Sequence, residues 1–294
     1  MATPEKSRES AAGLPSLPPC PMFAGADVPL ERADKTVTER RIEPGAALIT
    51  GAARRIGAAL ALDLARNGWD VAIHYHRSED DARAVVRDIE KLGRKAVALP
   101  ADLTREQETV TLLPKATSAL GPLTLLINNA SAFEMDRIDT VTRASWDLHL
   151  EIGLRAPLVL SQAFAKQLPD DRAGNIINML DQRIWKPTPY FLSYTVAKMG
   201  LWTLTRTLAQ ALAPDIRVNG IGPGLTFPSP RQTDEQFQRQ WDAVPLRRGT
   251  TPGEICDAVR YIIAAPAMTG QMIALDGGEH LGWAQPTRGF VARE

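Results

Sequence analysis

From Ala46 onward the chain alternates short apolar runs with longer amphipathic ones, and few folds satisfy that rhythm. The runs at 46–49, 71–75, 96–99, 123–127, 175–179, 216–221 and 272–275 read as strands. The stretches at 56–67, 79–92, 105–120, 145–167, 193–212 and 252–263 read as helices, the first three closed by Gly68, Gly93 and Gly121. Leu123-Thr-Leu-Leu-Ile127 is apolar almost throughout, as suits a strand covered on both faces. This alternation predicts an α/β fold, a doubly wound, seven-stranded parallel sheet with helices on both faces. No internal repeat of solenoid period is present.

Residues 1–44 differ from the rest, with Pro4, Pro15, Pro18, Pro19, Pro21 and Pro29 among Ala, Ser and charged residues. They lack both an amphipathic period and the apolar core of a signal peptide, and are expected to be a disordered tail before one domain over 45–294. Met22 is a candidate start site. Lys+Arg and Asp+Glu both number 34, so nothing asks for nucleic acid or an anionic membrane as partner. No apolar run reaches the roughly 18 residues of a membrane-spanning helix. Cys20 and Cys256 form no CxxC pair, which argues against a disulfide framework and for a reducing, cytoplasmic setting. His74, His76, His149 and His280 show no HExxH spacing, so no metal site is expected.

Two segments carry chemistry. Tyr194-Thr-Val-Ala-Lys198 places a phenol and an ammonium four residues apart, on one face of a helix. A free phenol titrates near ~10, and a neighbouring cation is expected to lower it toward neutral pH. Far upstream, Thr50-Gly51-Ala-Ala-Arg-Arg-Ile-Gly57 ends the first strand and opens a helix. Glycines there let the backbone approach a pyrophosphate, and the helix N-terminus offers N–H donors. The spacing is not GxGxxG, and Arg55 stands where a glycine is more usual. After the second strand come His76, Arg77 and Ser78 rather than an acid for a ribose 2′-hydroxyl. With Arg54 or Arg55 they suit a 2′-phosphate, which favours NADPH/NADP over NAD(H). Taken singly, the glycine turn also fits a junction that binds nothing, and the basic segment a solvated turn.

The ordered set is more specific. Thr50-Gly51…Gly57, Asp102, Asn128-Asn129-Ala130, Tyr194…Lys198 and Pro223-Gly224 span residues 46–280 and resemble the short-chain dehydrogenase/reductase family. The resemblance implies a single Rossmann-like domain with its site at the C-terminal strand ends. It implies cofactor contacts from Gly51, Arg54, Arg55, Ile56, Gly57, His76, Arg77, Ser78, Asp102, Leu103, Asn129, Ala130, Ser131, Lys198, Pro223 and Gly224. Asp102 would meet adenine, Asn129 and Ala130 the ribose, and Pro223 and Gly224 the nicotinamide. Tyr194 would donate a proton, and Lys198 would lower its pKa and hold the nicotinamide ribose.

Within the family, Arg55, His74-Tyr-His-Arg-Ser78, Asn128-Asn-Ala-Ser131-Ala-Phe133, Asn178-Met-Leu-Asp181 and Gly222-Pro-Gly-Leu225 look like pteridine reductases, whose bacterial branch reduces dihydromonapterin or dihydrofolate. That pattern implies that Phe133 stacks on a pterin, that Ser131 and Arg55 make polar contacts, and that Asp181 works with Tyr194. Most members carry a catalytic serine where Asp181 stands here. A carboxyl that is protonated, or that relays a proton through Tyr194, suits a C=N bond, whose nitrogen must gain a proton as hydride arrives. Its alternative is a loop cap.

Gly153 occupies a place where the family usually has asparagine, and a packing or water-site reason is expected. The substrate side is expected in 182–191 and 225–248, irregular stretches holding Trp185, Tyr190, Phe227, Pro228, Pro230, Trp241, Arg247 and Arg248. Arg183 or Arg231 is a candidate for an acidic substrate tail. Family resemblance and the apolar segment 201–212 point to a homodimer or homotetramer. The competing readings are an NADPH-dependent carbonyl reductase of 3-oxoacyl thioesters and a non-catalytic NADP-binding sensor.

Overall fold

A computed structural model describes residues 42–229 and 231–282. The tail expected over 1–44 therefore lies almost wholly outside the described residues, as does Pro230. Strands β1 (Ala46–Ile49), β2 (Asp70–Tyr75), β3 (Ala96–Pro100), β4 (Leu123–Asn128), β5 (Gly174–Met179), β6 (Ile216–Pro223) and β7 (Met272–Leu275) form one parallel sheet in the order β3-β2-β1-β4-β5-β6-β7. The order reverses between β1 and β4, and the crevice at the C-terminal ends of those strands is where such sheets bind ligands.

Helices α1 (Arg55–Arg66), α2 (Glu79–Lys91), α3 (Glu106–Thr109), α4 (Leu112–Leu120), α5 (Arg143–Leu150), α6 (Ala156–Gln167), α7 (Leu192–Ala211), α8 (Asp234–Ala243) and α9 (Pro252–Ala264) connect the strands. Side chains alternate along each strand, so each face of the sheet builds its own core. On one face Ile49, Ile73, Ile127 and Ile177 meet Leu60 and Leu64 of α1, Ile89 of α2 and Val259 of α9. On the other, Leu48, Leu126, Ile176 and Val218 meet Leu112 of α4, Phe164 of α6 and Ala209 of α7. The C-terminal carbonyls of α9 are closed by a buried side chain of β6. Arg217 donates to Ile262 O, Ile263 O and Met268 O at 2.9–3.0 Å.

Each expected strand is present, and three helical expectations change. The helix expected over 105–120 is two helices, α3 and α4. Pro114 falls in the first turn of α4, where its missing N–H costs no intrahelical bond. The long helix expected over 145–167 is α5 and α6 joined by a π-helical turn, Glu151–Arg155. Pro157 has no N–H for the Gly153 carbonyl four residues back, and the wider turn relieves that clash. The segment 225–248, expected to be irregular, contains α8. Its start is a capping box, with Thr233 accepting from Gln236 N and Gln236 bonding back to Thr233 N.

Candidate active site

Thr50, at the end of β1, ties the two halves of the crevice together. Its hydroxyl accepts from Asn129 N and Ala130 N, each at 2.9 Å. Asn129 Nδ2 returns bonds to Thr50 O at 2.8 Å and Gly51 O at 3.1 Å. Gly51 has φ of +63°, and a Cβ there would lie 2.9 Å from Ala130 Cα; one on Gly57 would lie 2.3 Å from Gly51 O. The turn is thus packed as closely as backbone allows.

Arg55 opens α1 with φ of +53°, a left-handed conformation that glycine adopts more cheaply. Its guanidinium lies 5.0 Å from the Phe227 ring centre and donates to Pro228 O at 3.3 Å. It therefore faces the 225–248 segment. Arg54 instead pairs with Asp81 of α2 at 2.5 Å, an exposed contact. Ile56 packs against the core.

His74 has a role that no motif announced. Gly51 N–H donates to its Nδ1 at 3.0 Å, so the ring proton sits on Nε2, which reaches Ala101 O at 3.1 Å. Burial pushes its pKa down to about 4. The neutral ring clasps the glycine turn to the ends of β2 and β3. His76 and Arg77 are exposed, and His76 Nε2 is 3.8 Å from Asp102 Oδ2. Ser78 begins α2 without a side-chain cap. Asp102 Oδ1 accepts from Thr104 Oγ1 at 2.7 Å and Thr104 N at 3.0 Å, which holds its carboxyl below the usual range. Leu103 is buried in the core.

At the other side of the crevice the expected pair lies on the first turns of α7. Tyr194 Oη donates to Asp181 Oδ2 at 2.7 Å, and Asp181 Oδ1 accepts from Arg183 N at 2.8 Å. Asp181 is therefore both the partner of the phenol and the cap of the short turn Gln182–Ile184. Lys198 Nζ donates to Met179 O at 2.6 Å and lies 5.7 Å from the tyrosine ring centre. Burial pushes its pKa down to about 8.

The expected lowering of the tyrosine pKa is overturned. Burial, then the Asp181 charge and hydrogen bond, hold the phenol well above its ordinary value, while Arg183 and Ser131 pull weakly the other way. The carboxylate sits at bonding distance, whereas the ammonium is turned to a backbone carbonyl.

Phe133 lies flat on Phe191, ring centres 4.2 Å apart and planes 4° apart, and meets Tyr194 edge-on at 4.9 Å. Arg231, from the 225–248 segment, donates to Phe133 O at 3.0 Å. Ser131 is exposed beside them. Pro223 ends β6, and Gly224 N bonds Leu275 O at 2.9 Å. Trp185 packs edge-on against His280 at 4.8 Å, and Trp241 lies tilted against Phe237, ring centres 5.3 Å apart. Arg248 is paired with Glu254 at 2.5 Å.

Residues far apart in sequence position this pair. Phe191 has φ of +56° at the start of α7, and its N–H bonds Asp136 O at 2.8 Å. Asp136, 2% exposed, accepts from Ser193 N at 3.2 Å, from Ser145 Oγ at 3.2 Å and from Ser193 Oγ. His149 Nε2 accepts from Glu134 N at 3.1 Å, so Nδ1–H donates to Ser193 Oγ at 2.7 Å. The His149 ring also lies 5.9 Å from that of Tyr194. Gly153 has a packing reason, since a Cβ there would come within 3.2 Å of Ala197 Cβ on α7.

Among the described residues no group of three or more His, Cys, Asp or Glu could hold a metal ion. No helix among them is long and apolar enough to cross a membrane.

The family model described as short chain dehydrogenase matches residues 45–239. Among solved structures, FolM alternative dihydrofolate reductase 1 from Brucella canis, complexed with NADP, is 44% identical and superimposes with a TM-score of 0.79, covering 85% of this chain and 100% of that one. The corresponding protein from Brucella suis, also with NADP, is 47% identical with a TM-score of 0.80, covering 82% and 97%. The 3-oxoacyl-[acyl-carrier-protein] reductase FabG of Staphylococcus epidermidis is 30% identical over 240 residues, 80% of this chain and 98% of its own length.

Proposed function

The chain belongs to the short-chain dehydrogenase family, and from that premise we propose that it is an NADPH-dependent reductase of a C=N bond in a dihydropterin or related pteridine. The observation that carries this reading is the 2.7 Å contact of Tyr194 with a carboxylate, Asp181, at the place of the family's serine. An ionised carboxylate serves a carbonyl oxygen gaining charge poorly, whereas a ring nitrogen beside the carbon receiving hydride needs a proton. The two Brucella proteins, 44% and 47% identical, support the same substrate class and NADP.

Bound NADPH supplies the hydride. Tyr194, held protonated across neutral pH by its raised pKa, donates the proton and is left a phenolate, which regains a proton taken from solvent and relayed through Asp181. The Lys198 ammonium offsets charge on the phenol and holds the nicotinamide ribose. The turn Gly51–Gly57 fits a pyrophosphate: no Cβ fits at either glycine, and Arg54 puts no side-chain cap on the first N–H groups of α1. His76, Arg77 and Ser78, with Arg54 nearby, receive the 2′-phosphate; Asp102 and Leu103 border adenine; Asn129 and Ala130 border the ribose; Pro223 and Gly224 border the nicotinamide. Ser131 and Phe133 line the pterin side, which Arg55 serves through its contact with Phe227 and Pro228.

The domain over 45–294 acts as one unit in this reading, in the cytoplasm, as a homodimer or homotetramer. Exposed Val196 and Met199 on α7 support self-association.

The 30% identical 3-oxoacyl reductase favours a second reading, reduction of a thioester ketone. Measuring NADPH oxidation side by side on dihydromonapterin, dihydrobiopterin, dihydrofolate and an acetoacetyl thioester separates the two. The pteridine reading expects the highest kcat/KM on a dihydropterin; preference for the thioester would replace it.

A further inference from the structure

The turn after β7 brings one more acid to these strand ends. Asp276, 3% exposed, pins the turn by accepting from Gly278 N at 3.0 Å, His280 N at 2.8 Å and His280 Nδ1–H at 2.7 Å. Lys186 Nζ donates to the backbone carbonyl of Glu279 at 3.2 Å, and Trp185 packs on His280, so the turn is fastened to the loop after Asp181. The Glu279 side chain then points over Gly224, its Oε2 only 3.3 Å from where a Cβ on that glycine would stand. Among the described residues this carboxylate accepts no hydrogen bond and forms no ion pair.

We propose that Glu279 is a specificity-determining carboxylate of this site, receiving the paired N–H donors of a cyclic guanidine or amidine edge on the substrate ring. The inference rests on the pteridine reading and adds to it the group that recognises the ring. A largely buried carboxyl without a donor is costly, and a ligand that supplies donors removes the cost. An ionised carboxylate presents two oxygens in one plane, which match two parallel N–H groups. A pterin carries such a pair, a ring N–H beside an exocyclic amino group; an acyl thioester carries none.

The charged groups that face Glu279 fit this use. Asp181, Arg183 and Lys186 approach from the loop after β5, and Asp276 lies in its own turn, with His280 adjacent. Burial raises the Glu279 pKa to about 7, with Asp181 and Asp276 adding and Arg183 and Lys186 opposing. Donor N–H groups favour the ionised form and bring the value down.

The test titrates the NADP-saturated protein with pterin and with lumazine, which has an oxygen in place of the amino group, in the wild type and in Glu279→Gln. The wild type is expected to prefer pterin, and Glu279→Gln to lose about tenfold on pterin and little on lumazine. Glu279→Asp should recover part of the preference. The wild-type preference should grow as pH rises through about 7, and that of Glu279→Gln should stay flat. An unchanged preference in Glu279→Gln overturns the proposal, as does a loss that falls on NADP affinity. Wild-type protein that binds pterin but turns over no dihydropterin refutes the pteridine reading instead. Turnover with undiminished discrimination in the variant sinks only the role of Glu279.

Discussion

Tyr194 Oη donates to Asp181 Oδ2 across 2.7 Å, while Lys198, one helical turn further on, gives its ammonium to Met179 O at 2.6 Å. The phenol is thereby kept protonated and ready to give its proton, rather than ionised in advance. That arrangement serves reduction, in which a proton leaves the protein as hydride arrives.

Tyr194→Phe removes the donor and leaves the ring packed against Phe133 and His149. Turnover should fall by about 1,000-fold, within the range for a general acid, while NADPH affinity stays within about twofold. Steady-state kcat beside a fluorescence titration of NADPH measures both; retained turnover contradicts the role.

Lys198 titrates at about 8, so its charge is present below that pH and lost above it. Its support of the phenol goes with the charge, and kcat should decline on the alkaline side of pH about 8. Lys198→Arg keeps its charge at any such pH. Its residual activity should show that alkaline limb displaced upward, and a pH profile of kcat with the limb unmoved would argue against the assignment.

His74 is held neutral down to about pH 4, whereas an unfolded chain protonates it near 6.5. Between those values the unfolded state binds the extra proton, so stability is lost as pH falls through the window, by roughly 3 kcal/mol at its lower end. His74→Gln keeps an acceptor and a donor but does not titrate. Urea midpoints from pH 7 to 4 should decline more steeply for the wild type than for this variant, and parallel declines would contradict the clasp.

Gly153 lets α7 approach the π-helical turn, a Cβ there coming within 3.2 Å of Ala197 Cβ. Gly153→Ala gains about 1 kcal/mol in backbone preference and loses about 1–3 kcal/mol to overpacking, for a small net loss. Gly153→Asn should cost about 2 kcal/mol or more and lower kcat by displacing Tyr194. Denaturant midpoints and kcat of the two variants check this; an asparagine variant more active than the wild type would show that the missing amide, not the packing, limits the enzyme.

The sheet was legible because its strands are short apolar runs bounded by turn residues, and both faces are covered. The breaks at Pro114 and Pro157 were not anticipated, although a proline inside a helical pattern marks a boundary, and neither was α8, although its Thr233-x-x-Gln236 start is a capping pattern. Spacing put Tyr194 and Lys198 on one helix face, because i and i+4 share it, whereas Asp181 was tied to Tyr194 only through the family resemblance. It did not give the direction of the tyrosine pKa, which depends on which charge reaches the phenol first. Nor did it give Asp136, His149 and Ser193, whose bonds join segments as much as 57 residues apart with no motif between them. Glu279 escaped for the same reason, since only the folding of the last turn onto the Asp181 loop brings it to Gly224.

The central claim is that the carboxylate facing the phenol suits the protein to C=N rather than C=O reduction. The most direct measurement is kcat/KM of Asp181→Ser on a dihydropterin and on an acetoacetyl thioester, relative to the wild type. The account predicts a loss of about 100-fold on the dihydropterin with the thioester rate unchanged or raised. Equal losses on both substrates would contradict it.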